Sequence, residues 1–290
     1  MKVFYHNDLD GQAAGFCVLE WAAISQPHDF NTMMHPINYN QKFPLDIVQT
    51  NEQVWIVDYS IEPSEMKKLM EITNNITWID HHKTAIEKYK DLNIHGIRST
   101  AEAACVLTFK YLHCWSQRGL QPFNFNVTDI AVPRAIALVG DRDTWTWAYG
   151  EETKYFYAGS QLYDTSPGST FWHNCLGDKK FFDTLIEDGH TVEIFKEVED
   201  KVVNKDWGFE CKFENFNCWA VNRPNVDSNR LPTGYDIVMP FKYDGNQFTV
   251  SLYSSKTDVS VLAKKYGGGG HPGASGFQCK ELPFEKSDQD

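Results

Sequence analysis

Four apolar stretches in the front of this chain each run into acid. KVFYH (2–6) leads to Asp8 and Asp10, and VWIVD (54–58) ends on Asp58. ITWID (76–80) ends on Asp80, with His81 and His82 next, and DIAVPRAIALVGD (129–141) ends on Asp141, with Asp143 two residues on. Helical patterns lie between them: QAAGFCVLEWAAI (12–24), EPSEMKKLMEI (62–72) with Pro63 in its first turn, and STAEAACVLTFKYLHCW (99–115) with Ser99 or Thr100 as its cap. Apolar runs alternating with helices predict βα units and a mostly parallel sheet. An open parallel sheet binds ligands at the carboxyl ends of its strands. The four acid clusters are therefore expected to meet in one crevice.

The second half reads differently. Residues 182–206 form a long polar helical pattern, expected to connect two domains. Beyond it the chain is β-rich, with DGN (244–246) as a hairpin turn and DVSVLAKKY (258–266) as a short helix capped by Asp258. The expected fold class is α/β: a mostly parallel-sheet domain over 1–181, a linking helix over 182–206, and a smaller α+β domain over 207–290. Near the end stands YGGGGHPGASGF (266–277). Four consecutive glycines lose much backbone entropy on folding. Their uncovered N–H groups can wrap an anionic group closely, and His271 adds a directed donor. Gly268, Gly269, Gly270 and His271 are thus candidate substrate contacts.

Composition narrows the function. The formal net charge is −12, while residues 207–290 hold nine basic and ten acidic residues, so the acid is concentrated in the front of the chain. This argues against binding long duplexes, which needs cationic surfaces. An acidic site acting on an anionic substrate needs metal ions to reverse the local field. No apolar run approaches the ~18 residues of a membrane span, and MKVFYHNDLDG does not read as a signal peptide. Seven scattered cysteines without a CxxC pair argue against a disulfide framework or a thiolate zinc site, and for a reducing cytoplasm. The first strand is not followed by GxGxxG, which excludes a dinucleotide-binding dehydrogenase.

Oxygen-rich ligation with imidazole and no thiolate suits Mn²⁺ or Mg²⁺, with Fe, Co or Zn also open. Four carboxylates (Asp8, Asp10, Asp58, Asp141) and two imidazoles (His6, His81) exceed what one catalytic ion takes and match two divalent cations. Asp143 is a rival to Asp141. Without cations such carboxylates would repel one another, and some would remain protonated.

The motifs HNDLDG, VDYS, DHH and GDRD, in this order and followed by GGGGHPGASGF, resemble the DHH–DHHA1 phosphoesterase family across nearly the whole chain. The resemblance implies that His6 and Asp8 hold one Mn²⁺, that Asp10, His81 and Asp141 hold the other, and that Asp58 bridges them. It implies that His82 faces the scissile phosphate and that Asp80 orients a histidine ring. The glycine loop would hold the substrate's far end. Arg98 is a further candidate phosphate contact, and Tyr253 stands where the family often has Arg, either to stack on a base or to be buried. Trp145 and Trp147 are either base-stacking or core residues. The implied activity is hydrolysis of short single-stranded oligonucleotides or dinucleotides, with pAp or cyclic dinucleotides as alternatives, no membrane association, and a homodimer allowed.

Overall fold

The computed structural model describes residues 1–25, 32–39, 41–89, 93–118, 130–223 and 232–287. The elements run β1 (Lys2–His6), α1 (Leu9–Ser25), β2 (Met33–Ile37), β3 (Val54–Val57), α2 (Pro63–Ile72), β4 (Ile76–Ile79), α3 (Lys83–Lys88), α4 (Ala104–Arg118), α5 (Arg134–Asp143), α6 (Glu151–Ser160), α7 (Thr170–Gly177) and α8 (Lys179–Trp207). They continue as β5 (Gly208–Phe213), β6 (Phe216–Asn222), β7 (Ile237–Tyr243), β8 (Phe248–Tyr253), α9 (Val259–Lys265), β9 (Gly269–His271) and β10 (Ala274–Cys279). The chain forms two compact units, Met1–Val192 and Glu193–Asp290, and the division falls inside α8.

The first unit is built on a parallel sheet of order β2-β1-β3-β4. Side chains alternate across it. Val3, Tyr5, Trp55 and Val57 face a cluster with α1, α4 and α5, while Phe4, Val54, Ile56 and Trp78 face one with α2. Both faces are covered, which is why these strands read as continuous apolar runs rather than alternating ones. Each fully buried aliphatic or aromatic side chain contributes roughly 1.5–3 kcal/mol, so the strand ends are held by a stiff scaffold.

Two sequence expectations are corrected here. The fourth apolar run is not a strand. Its described part is α5, opened by Pro133, with Ala135, Ile136, Leu138 and Val139 buried at helical spacing. A short apolar run fits either element, and here the three-to-four-residue spacing decides. The fourth strand is instead β2, MMHPI, an edge strand whose Pro36 is tolerated because one side of an edge needs no donor. Helix α4 starts at Ala104, not at Ser99 or Thr100, because Asp10 receives its first amides.

In the second unit the sheet order is β5-β6-β7-β8-β10-β9, and only the β6–β7 pair is parallel. Phe213, Ile237, Met239, Val250, Leu252 and Phe277 form its core with Val259 and Ala263 of α9. Asp258 caps α9 by accepting from the Ser260 N–H at 3.0 Å, and Asp244 closes the DGN turn by accepting from Asn246 and Gln247. The glycine run is part of the sheet: Gly269–His271 pairs antiparallel with Ala274–Gly276. A Cβ on Gly268 would lie 2.0 Å from the Gly276 carbonyl oxygen, which is the packing reason for glycine there.

Candidate metal centre

The centre begins where β1 ends. In this sheet the chain passes to β2 on one side of β1 and to β3 on the other, so the crevice expected at such a reversal lies beside His6 and Asp58. Helix α1 starts so close to β1 that a Cβ on Gly11 would lie 2.1 Å from the His6 carbonyl oxygen. That approach sets the spacing of HNDLDG. Asp8 accepts from the Gly11 N–H at 3.0 Å, capping α1. Asp10, 2% exposed, accepts from the Ala104 and Cys105 N–H groups at 2.9 Å each. It thereby sits on the positive end of α4, a natural seat for a carboxylate.

Asp58, 1% exposed, leaves β3 with φ +54°, a left-handed conformation uncommon outside glycine. Its N–H still bonds to Ile79 at 3.0 Å. Strain of this kind concentrates at functional positions. Asp80 is fully buried at the end of β4, and its Oδ1 accepts from the N–H groups of His81 and His82 and from the His82 ring at 2.7 Å. Asp80 therefore orients a histidine ring, and the ring is that of His82.

These side chains converge into overlapping groups. His6 Nδ1 lies 2.7 Å from Asp8 Oδ2 and 3.7 Å from Asp58 Oδ2. His81 Nε2 lies 3.7 Å from Asp10 Oδ2, 3.4 Å from Asp58 Oδ1 and 3.3 Å from Asp143 Oδ2. Asp58 thus turns one oxygen toward each histidine. His6 Nδ1 and Asp58 Oδ1 are buried without a hydrogen-bond partner, despite these short distances. Lone pairs that approach one another without aligning as donor and acceptor are what a shared cation requires. Three overlapping groups could each hold an ion: His6, Asp8 and Asp58; Asp10, His81 and Asp143; and Asp58, His81 and His82, which shares its members with the other two or with the ring that Asp80 orients.

Electrostatics agree. Burial pushes the Asp58 carboxyl up to about 8, against the nearby His6 imidazole, which pulls it down. Burial also raises Asp10 well above the carboxylate range, helped by the Asp58 charge, and raises Asp143. The carboxylates of Asp58 and Asp8 raise His6 to about 10, and Asp80 raises His82 to about 9. Burial would raise Asp8 as well, but His6 and the Gly11 amide hold it below its usual value. On its own the bowl stores protons in place of positive charge.

Asp141 is not brought to this centre, and Asp143 is. Asp141 accepts from the Ala148 N–H at 2.7 Å, the Tyr149 N–H at 3.2 Å and the Thr153 hydroxyl, so its carboxylate ties the loop after α5 to α6. Arg98 donates to the Trp78 carbonyl at 3.3 Å and lies over the Trp78 indole at 5.3 Å, so it is engaged in the fold. Tyr253 packs with Val238 against Val203 and Val221, the burial alternative. His271 is exposed on β9, and Gly269, two residues before it, has ordinary φ and nothing within 4 Å of a would-be Cβ. One residue was missed in sequence. Tyr39 is 53% exposed, its ring centroid 4.8 Å from that of Tyr59, 5.3 Å from His6 and 5.9 Å from His82. Nothing in NYN marks it, because β2 itself was not legible.

No protein-family profile matches the chain. Among curated proteins it is 27% identical over 274 residues to an uncharacterised protein of Acanthamoeba polyphaga mimivirus, covering 86% of this chain but 59% of that relative. It is 22% identical over 311 residues to the oligoribonuclease NrnB of Bacillus subtilis, covering 98% of this chain and 74% of NrnB. Among solved structures, the DHH domain of a member of a ribosomal protein family superposes with TM-score 0.56 at 13% identity, over 95% of this chain and 81% of that one. RecJ of Thermus thermophilus in complex with Mn²⁺ gives TM-score 0.50 at 16% identity, over 95% of this chain and 49% of RecJ. The chain has the DHH-domain fold.

Proposed function

We propose that the protein is a metal-dependent phosphoesterase that hydrolyses phosphodiester bonds in short oligonucleotides or dinucleotides, releasing mononucleotides. One observation carries the reading: Asp58 offers Oδ2 to the His6 group and Oδ1 to the His81 group. His6, Asp8 and Asp58 would hold one divalent ion, and Asp10, Asp58, His81 and Asp143 the other. The donor set suits Mn²⁺ first, with Mg²⁺ or Co²⁺ as alternatives. Two such ions supply an activated water and neutralise charge on the phosphoryl oxygens. The names of the relatives support this class: NrnB is an oligoribonuclease, and the RecJ of similar fold binds Mn²⁺.

The chain's own residues do the rest. His82, with its side chain 37% exposed, is the open imidazole of the centre. Asp80 fixes its Nδ1 and so leaves Nε2 to meet a phosphoryl oxygen or leaving oxygen. Gly268–Gly270 and His271 serve as contacts for the substrate in the second unit, where Gly269 is a glycine that internal packing does not demand. A pAp-type phosphomonoesterase or a cyclic-dinucleotide phosphodiesterase would use the same centre. A non-enzymatic sensor is disfavoured, because both ligand sets are complete. We assign the protein to the cytoplasm on its free cysteines. No described helix is long and apolar enough to cross a membrane.

The test is purified protein with Mn²⁺ and a panel of pAp, pApA, c-di-AMP, c-di-GMP and DNA and RNA 5-mers. Mononucleotide release from the linear substrates is expected. Asp143→Asn should lower that rate at least about 100-fold with little change in Tm, while Asp141→Asn should act mainly by lowering Tm. Phosphate release from pAp alone would support the monoesterase. Absence of turnover on every substrate would refute the enzyme reading.

A further inference from the structure

The turn that leaves the metal centre carries a feature that hydrolysis does not explain. Trp145 and Trp147 stand two and four residues after Asp143, and both hold left-handed backbone, φ +55° and +54°. Bulky aromatic residues rarely adopt that region, where glycine or asparagine would relieve the strain. Trp145 is 55% exposed, whereas the core tryptophans Trp55, Trp78 and Trp172 are at most 2% exposed. The two rings meet edge to face at 5.7 Å. The Arg142 guanidinium lies 4.5 Å from the Trp145 centroid, 5.3 Å from Trp147 and 4.7 Å from Tyr157. It makes no hydrogen bond or ion pair to a described residue, in a chain of net charge −12. Ring faces flank it, its charge acts on the neighbouring Asp143 carboxylate, and its N–H donors are unspent among the described residues.

A turn packed only for its own stability would bury Trp145. Here a flat cation covers one aromatic surface, a broad indole is left open to solvent, and the backbone is strained to present it. We infer that Arg142, Trp145 and Trp147 form a nucleobase-stacking subsite beside the metal centre, with a base of the substrate lying on the open face of Trp145 and Arg142 supporting that ring. Base–aromatic stacking accepts any base, since each has a π face, so this subsite selects nucleotides over base-free phosphate esters without choosing a sequence. The inference rests on the phosphoesterase reading for its substrate, but its binding arm stands apart from turnover.

The experiment compares wild type with Trp145→Ala and Trp145→Phe. The substrates are a 5′-phosphorylated dinucleotide and the same compound with abasic sugars. Trp145→Ala should raise KM for the base-bearing dinucleotide roughly 10- to 100-fold, at least tenfold more than for the abasic one. Trp145→Phe should recover most of the loss, and circular dichroism and Tm report that both variants fold. Calorimetric binding of 5′-AMP gives a second readout, expected to weaken at least tenfold in Trp145→Ala. Equal KM changes on the two substrates, or unaltered 5′-AMP binding, would overturn the subsite. Wild type that binds 5′-AMP through Trp145 yet hydrolyses no nucleotide would defeat the hydrolase reading and leave the subsite standing.

Discussion

Cation binding to this centre should expel protons. At pH 7 the Asp58 carboxyl, with its pKa at about 8, is mostly protonated, and His6, at about 10, is almost fully so. A ligand imidazole must be neutral and a ligand carboxylate ionised. Filling both ion positions should therefore release about two protons from these two groups alone, with Asp10 and Asp143, both raised by burial, adding to that number. Where two protons are displaced, apparent affinity for the ion pair climbs by up to about 100-fold per pH unit. The assay is calorimetric titration of Mn²⁺ into metal-free protein at pH 7 in buffers of differing ionisation enthalpy, repeated at pH 6 and 8. The slope of observed enthalpy against buffer enthalpy counts the protons. A slope below about half a proton per protein, or affinity that does not change from pH 6 to 8, would refute the argument that these buried acids hold protons in place of cations.

Other outcomes follow from the same geometry. Metal-free protein should lose Tm as pH rises from 6 to 10. His6 and His82 are raised to about 10 and about 9, so their stabilisation is complete below the unfolded histidine value and disappears as pH passes through the folded values. The raised Asp58 works in the same direction: ionising it in the fold costs stability as pH climbs toward about 8. A thermal-shift series that is flat or rises over this range contradicts the assignment, and added Mn²⁺ should flatten it. Gly11→Ala should cost roughly 1–3 kcal/mol in denaturant unfolding and weaken Mn²⁺ binding, because a Cβ 2.1 Å from the His6 carbonyl pushes α1 off β1. Normal affinity in that variant would show that the close approach does not set the ligand spacing. Asp80→Asn should lower kcat more than it raises KM, since it frees the His82 ring. An equal effect on both would point to a merely structural role.

Much of this site was legible because strand ends and acids coincide in sequence. Buried parallel strands leave continuous apolar runs, so β1, β3 and β4 could be read directly, together with His6, which ends β1, and Asp58 and Asp80, which follow β3 and β4. The misread fourth run shows the limit. With 129–141 taken as a strand, Asp141 ends the run and becomes the natural ligand. In a helix, residues two apart point to nearly opposite sides, so Asp141 and Asp143 cannot both face the crevice, and Asp141 is the one that turns to the amides of Ala148 and Tyr149. The helical spacing of Ala135, Ile136, Leu138 and Val139 was the available signal. Backbone conformation left no such trace. The left-handed geometry of Asp58 and Trp145 depends on how the surrounding fold holds those turns, and no residue type in VDYS or DRDTW announces it. β2 was hidden for a related reason: an edge strand carrying Pro36 lacks the pattern of its buried neighbours.

The central claim is that Asp58 joins two cation positions in one bowl. The most direct measurement is a crystal of the protein grown with Mn²⁺, with anomalous difference maps collected at the manganese edge. Two peaks about 3.5–4 Å apart, with Asp58 between them, His6 and Asp8 on one and Asp10, His81 and Asp143 on the other, is the predicted result. A single peak, or two peaks that Asp58 does not touch, would contradict it.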